Sequence, residues 1–98
     1  MIIVKTDGSS FIEISGHAGY APAGSDIVCA AVSILYETLK ELLSGQAIVD
    51  ESENKCILRA RHWLNSPWKI EYMEFFITGI KGIAEAYPDN VKLMIKRS

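Results

Sequence analysis

One of the chain's two histidines, His17, and one of its two cysteines, Cys29, bracket the short stretch GHAGYAPAGSDIVC. These two residue types supply the minimum equipment for covalent acyl transfer. A thiolate is a strong nucleophile, and an imidazole can take the thiol proton, persist as an imidazolium partner, and later protonate a leaving amine. A cysteine in the first turn of a helix has a further advantage. The free N–H groups there carry partial positive charge, which favours a thiolate and can hold the oxyanion of a tetrahedral intermediate. A second reading stands beside this one, because cysteine is among the residues most often simply buried.

The flanking sequence must bring the two residues together. Residues 2–6, IIVKT, predict a strand, and Asp7-Gly8 predicts a turn into a second strand over 10–16. In that second strand Ile12 and Ile14 share one face, while Phe11, Glu13 and Ser15 share the other. His17 follows the strand end. A loop over 17–24 comes next, in which Gly19 and Gly24 permit close backbone approach. Ser25 and Asp26 are both good N-cap residues for a helix running to about Leu43, which Ser44-Gly45 stops. Val28, Ala31, Val32, Leu35, Leu39 and Leu42 form its expected buried stripe, with Cys29 at the stripe's edge. Ser33, Tyr36 and Lys40 lie along the same flank as Cys29.

The supporting residues keep two readings each. Asp26 either caps its own helix or points its carboxylate at the imidazole, and the cap is the commoner use. Ser33, one turn beyond Cys29, either hydrogen-bonds the sulfur or packs.

The remaining chain completes an α+β pattern. A second hairpin is expected from 46–51 and 55–63 around Ser52–Asn54, with Cys56, Leu58, Ala60 and His62 on one face. Asn65-Ser66-Pro67 predicts a second helix start, with Ser66 as cap and Pro67 at its first position. Met73, Phe76, Ile77, Ile80, Ile83, Ala84 and Tyr87 line the inner face of that helix, and Pro88 ends it. A last strand covers 91–96. The order ββαββαβ implies two helices packed on a mostly antiparallel sheet. Cys56, on an apolar strand face, reads as an inert core residue. The second helix carries more apolar surface than one face can bury, so a homodimer is expected, with Gly79 and Gly82 permitting close approach.

Composition narrows the function classes. Ninety-eight residues suit one domain over 1–98, able to bury roughly 60–70% of its unfolded surface. A net charge of −2 and scattered basic residues argue against a nucleic-acid binder. No apolar run approaches the ~20 residues that cross a bilayer. MIIVKTDGSS lacks the features of a secretion signal, so the cytoplasm is the expected compartment. CxxC pairs, paired Cys/His spacing, P-loops and GxGxxG are all missing, so neither a metal nor a cofactor is expected.

The block Gly16-His17-Ala18, Gly24, Asp26-Ile27-Val28-Cys29-Ala30 and Ser33 resembles the signature of the ribosomal-processing cysteine proteases, the Prp family. The resemblance extends to length and element order. It implies that His17 and Cys29 form a catalytic dyad, supported by Asp26, Ser33, Gly16 and Gly24. It implies removal of the N-terminal extension of a large-subunit ribosomal protein precursor, cut after a pair of aromatic residues, and in related members of phage structural proteins. It also implies a homodimer, and a loop between the two catalytic residues that moves to admit substrate. Two rivals come from other classes: a non-catalytic ribosome-assembly module with Cys29 buried, and a thiol redox sensor.

Overall fold

The computed structural model describes residues 1–17, 19, 21, 26–61 and 68–96. Five strands and two helices follow one another as β1 (Ile2–Thr6), β2 (Phe11–Ser15), α1 (Ile27–Leu42), β3 (Ala47–Glu51), β4 (Lys55–Ala60), α2 (Ile70–Ala86) and β5 (Val91–Ile95). The expected ββαββαβ order is therefore present. The strands form one sheet in the order β3-β4-β2-β1-β5, antiparallel except for the parallel β1–β5 pair. Among the described residues, no helix is long and apolar enough to cross a membrane.

Alternation along the strands decides which face the helices cover. Ile2, Val4, Ile12, Leu58 and Val91 are buried in one cluster with Val28, Val32 and Leu39 of α1 and Met73, Phe76 and Ile80 of α2. The strand residues between them, Lys5, Arg59 and Lys92, are exposed on the opposite face. Thr6 is the one buried polar side chain among the described core residues. Its hydroxyl donates to the Phe11 carbonyl (2.6 Å) and accepts the Gly8 N–H (3.0 Å).

The β1–β2 turn is organised by the Asp7 carboxylate, which accepts the N–H groups of Ser9, Ser10 and Phe11 at 2.8, 2.8 and 3.1 Å. Burial pushes this carboxyl up, but bonds from Ser10, Ser9 and Phe11 outweigh it and hold it below its ordinary range.

Four expectations need correction. The second helix begins at Ile70 with Lys69 in the cap position and no side-chain cap, not at Ser66-Pro67, which lie outside the described residues. The reason is Trp68. It is buried, its backbone N–H donates to the Ser9 carbonyl (2.9 Å), and its indole N–H donates to the Gln46 carbonyl (3.0 Å). This pins the chain before the helix to two turns. In α1, Leu42 is exposed, while Tyr36 and Leu43 join the core, because the helix ends at Leu42 and the next residue turns inward. The fourth strand ends at Ala60, so His62 falls beyond it and outside the described residues. Gly79 faces α1 and not a second subunit. A Cβ there would press within 2.7 Å of the Leu35 side chain, so its absence lets the two helices approach.

Candidate active site

The β2 strand delivers His17 through a glycine corner. Gly16 follows the strand with φ +86°, and a Cβ at this position would collide with the Met1 carbonyl. Glycine is required twice over, by conformation and by space. The Gly16 N–H donates to the Asn54 carbonyl (3.2 Å), which continues the β2–β4 ladder one step past the Ser15↔Lys55 pair. His17 is exposed, and its Nε2 lies 2.9 Å from Asn54 Oδ1.

Helix α1 delivers Cys29. Asp26 is its N-cap in extended conformation, and one carboxylate oxygen accepts the N–H groups of Val28 (3.0 Å) and Cys29 (2.9 Å). The Ala30 N–H donates to the Asp26 carbonyl at 3.1 Å. Asp26 is thus the helix cap. Its grip on the Cys29 N–H also corrects the expectation that this N–H waits free for an oxyanion. Cys29 itself is half-buried against the core in the first turn, and Ser33, one turn on, is exposed.

The two elements meet at an open groove of about 580 Å³ whose walls include His17, Asp26, Cys29 and Ser33. A smaller cavity of about 210 Å³ adjoins it and is lined by Gly16, His17, Cys29, Ser33, Asn54 and Cys56. The structure therefore gathers Gly16, His17, Asp26, Cys29 and Ser33 in one place. Gly24 and most of the loop over 18–25 lie outside the described residues. Among the described residues, no group of three potential ligands is arranged to hold a metal.

Two neighbours were not signalled as site residues by the sequence. Asn54 looks like an ordinary turn residue until the β2–β4 register places it opposite Gly16. Cys56 is half-buried as expected of a strand residue, yet it borders the smaller cavity. Burial, then the Glu51 carboxylate, push its thiol up, with the Tyr36 hydroxyl pulling the other way.

A cysteine in a helix's first turn sharing a groove with a histidine is the layout of a thiol-dependent hydrolase. The model of the family described as cysteine protease Prp matches residues 1–92, and the chain belongs to that family of cysteine proteases. Solved structures agree with the fold. The essential ribosomal processing protease Prp from S. aureus, with a covalently linked product peptide, is 22% identical with a TM-score of 0.84, covering 98% of this chain and 100% of that one. The same S. aureus protease with a substrate peptide gives 21% identity and a TM-score of 0.77, over 98% and 100% of the two chains. SMU.848 from Streptococcus mutans is 30% identical with a TM-score of 0.74, over 100% and 96%. No curated protein matches the chain.

Proposed function

We propose that this protein is a cytoplasmic processing endopeptidase with His17 and Cys29 as its catalytic dyad. Its substrate is the precursor of a large-subunit ribosomal protein, whose N-terminal extension it removes after an aromatic pair. The carrying observation is that His17 and Cys29 border the same open groove, one from a strand end and one from a helix start. Family membership supplies the reaction class, and the S. aureus protease supports the choice of substrate.

The Cys29 thiolate attacks the scissile carbonyl, forming a carbon–sulfur bond and an oxyanion. Asp26 already holds the Val28 and Cys29 N–H groups, so the oxyanion competes with this carboxylate for the start of α1. The Ser33 hydroxyl lines the same groove and is a side-chain donor on the same helix. The intermediate collapses as the carbon–nitrogen bond breaks and His17 gives its proton to the departing amine. Water then attacks the thioester, His17 takes a proton from it, and the thiolate leaves. The chain's mild negative charge favours encounter with a basic N-terminal segment, as steering more than affinity.

Self-association belongs to the same reading. Ile70 and Phe75 of α2 are 63% and 51% exposed, leaving apolar surface for a second copy. Sedimentation at micromolar concentration should show a dimer, and a monomer would remove this part. The substrate is tested by incubating the enzyme with the tagged precursor and with a variant whose aromatic pair is replaced by alanine. Mapping the new N-termini should show one cut in the first and none in the second. Equal cleavage of both would discard the specificity.

A further inference from the structure

We infer that Asn54 is a positioning residue for His17, fixing both the orientation and the tautomer of its ring. The inference rests on the dyad proposed above. Asn54 Oδ1 is an acceptor only, so the Nε2 it faces at 2.9 Å carries the hydrogen. A neutral imidazole has a single N–H, so Nδ1 is left with the lone pair. That nitrogen is the one available to the Cys29 thiol. When the ring becomes an imidazolium, Nε2 still donates to Asn54, so the contact serves both protonation states. A neutral acceptor suits this role, because it orients the ring without favouring either charge. Asparagine is the corresponding orienting group in the Cys-His-Asn arrangement of papain-like proteases, which belong to an unrelated fold.

The placement of Asn54 is built into the sheet. It stands one residue before β4, across the ladder from Gly16, and its carbonyl accepts the Gly16 N–H at 3.2 Å. The residue before His17 is thus tied to the Asn54 backbone, and the His17 ring to its side chain. The two bonds have separable roles. Any amino acid at 54 keeps the backbone carbonyl and with it the ladder, whereas only the side chain reaches the ring. His17 is exposed, so among the described residues little besides the Asn54 side chain restrains rotation about its side-chain bonds. Among the described residues, the charged and titratable groups bordering its two cavities are Asp26 and Cys29 at the start of α1, and Glu53, Lys55 and Cys56 from the turn and β4.

The test compares Asn54→Ala, Asn54→Asp and His17→Ala in the full chain. Cleavage of the tagged precursor gives kcat and KM, and iodoacetamide labelling of Cys29 across pH gives a readout independent of substrate. Asn54→Ala should keep the wild-type thermal midpoint and KM and lose kcat by about 10–100-fold, the effect of a misoriented catalytic group. Asn54→Asp keeps the acceptor and should recover much of that kcat. Its carboxylate stabilises the imidazolium, so the histidine limb of both pH profiles should move to higher pH by about 1 unit or more. Wild-type kcat in Asn54→Ala, with an unmoved limb in Asn54→Asp and an inactive His17→Ala, would overturn the positioning role alone. An active His17→Ala would overturn the dyad itself, and the inference with it.

Discussion

The first two turns of α1 leave Cys29 half-buried and Ser33 exposed beside an open groove, whereas further along the same helix Tyr36 and Leu39 are sealed in the core. The two ends also use polar groups differently. At the start, the Asp26 carboxylate accepts backbone N–H groups of its own helix. Beyond the middle, the Tyr36 hydroxyl donates to Glu51 Oε2 at 2.5 Å, and Lys40 bonds both Glu51 (3.1 Å) and Glu37 (3.0 Å). These contacts tie the far half of α1 to β3, across the edge of the sheet. Among the described residues, the far end of the helix is tied to β3 by side chains, and the start borders the groove that presents the chemistry. A site built at the end of a well-anchored element keeps its geometry while staying open to a peptide.

The largest effects should separate these two ends completely. Cys29→Ala is expected to abolish cleavage and leave the thermal midpoint close to wild type, since a half-buried thiol contributes little packing. His17→Ala should lose about 10²–10⁴-fold. Leu39→Ala should do the reverse, lowering the unfolding free energy by about 2–5 kcal/mol by opening a cavity in a fully buried position. Its remaining folded molecules should cleave normally. Denaturant titration beside an activity assay tests the pair, and a Cys29→Ala protein as unstable as Leu39→Ala would mean that Cys29 is a packing residue.

Gly16→Ala should damage both properties. Its positive φ costs about 1–3 kcal/mol for a residue with a Cβ, before any displacement of Met1. Because His17 is the next residue, cleavage should fall further than the folded fraction does. A variant whose activity simply tracks its stability would show that the corner holds the fold and not the histidine.

How much of this was legible follows from where each signal resides. The strands and helices were readable because alternation and helical periodicity are local, and Asp26 announced the start of α1 by type and position. The start of α2 was misplaced because Ser66-Pro67 is a sound local signal that a distant contact overrides. Trp68 is held by Ser9 and Gln46, which no local pattern reveals. The same reasoning separates the site's parts. His17 and Cys29 were legible as residue types in a motif, but Asn54 becomes visible only once the β2–β4 register is known. Gly79 was read as a surface feature, although its partner Leu35 lies on the other helix.

Tyr36→Phe probes the anchored end with a smaller change. Losing a hydrogen bond to a carboxylate from a buried ring should cost about 1.5–3 kcal/mol near neutral pH. The pH dependence follows from both partners. The Tyr36 hydrogen bond, opposed by burial and helped by Lys40, holds Glu51 below its ordinary 4.5, so this stability is complete above that value and fades as pH falls through the lowered one. Burial, then the Glu51 bond, push Tyr36 above its ordinary 10.0, so the same stability is complete below pH 10.0 and is lost as pH rises beyond it. The stability difference between wild type and Tyr36→Phe should therefore form a plateau that declines at both ends. A difference that stays constant through pH 3–5 would mean that Glu51 is not the functional partner.

The smallest effect should be in the two thiols. Both are half-buried, so exposure alone does not rank them. Their surroundings do. Cys29 borders the larger groove, where a reagent can reach it, whereas burial and then the Glu51 carboxylate push the Cys56 thiol up. Alkylation proceeds through the thiolate, so brief iodoacetamide treatment near neutral pH should label Cys29 several-fold faster than Cys56. Mass spectrometry of the two peptides reads the ratio. Glu51→Gln sharpens the comparison by removing the charge that disfavours the Cys56 thiolate from the anchored end of α1. Labelling of Cys56 should rise modestly in this variant while Cys29 stays as it was, because its groove does not contain Glu51. Equal labelling of the two cysteines in the unaltered protein would mean that the helix start gives Cys29 no special reactivity. A Glu51→Gln variant in which both rates rise together would point to general loosening of α1, and would remove the distinction between its two ends.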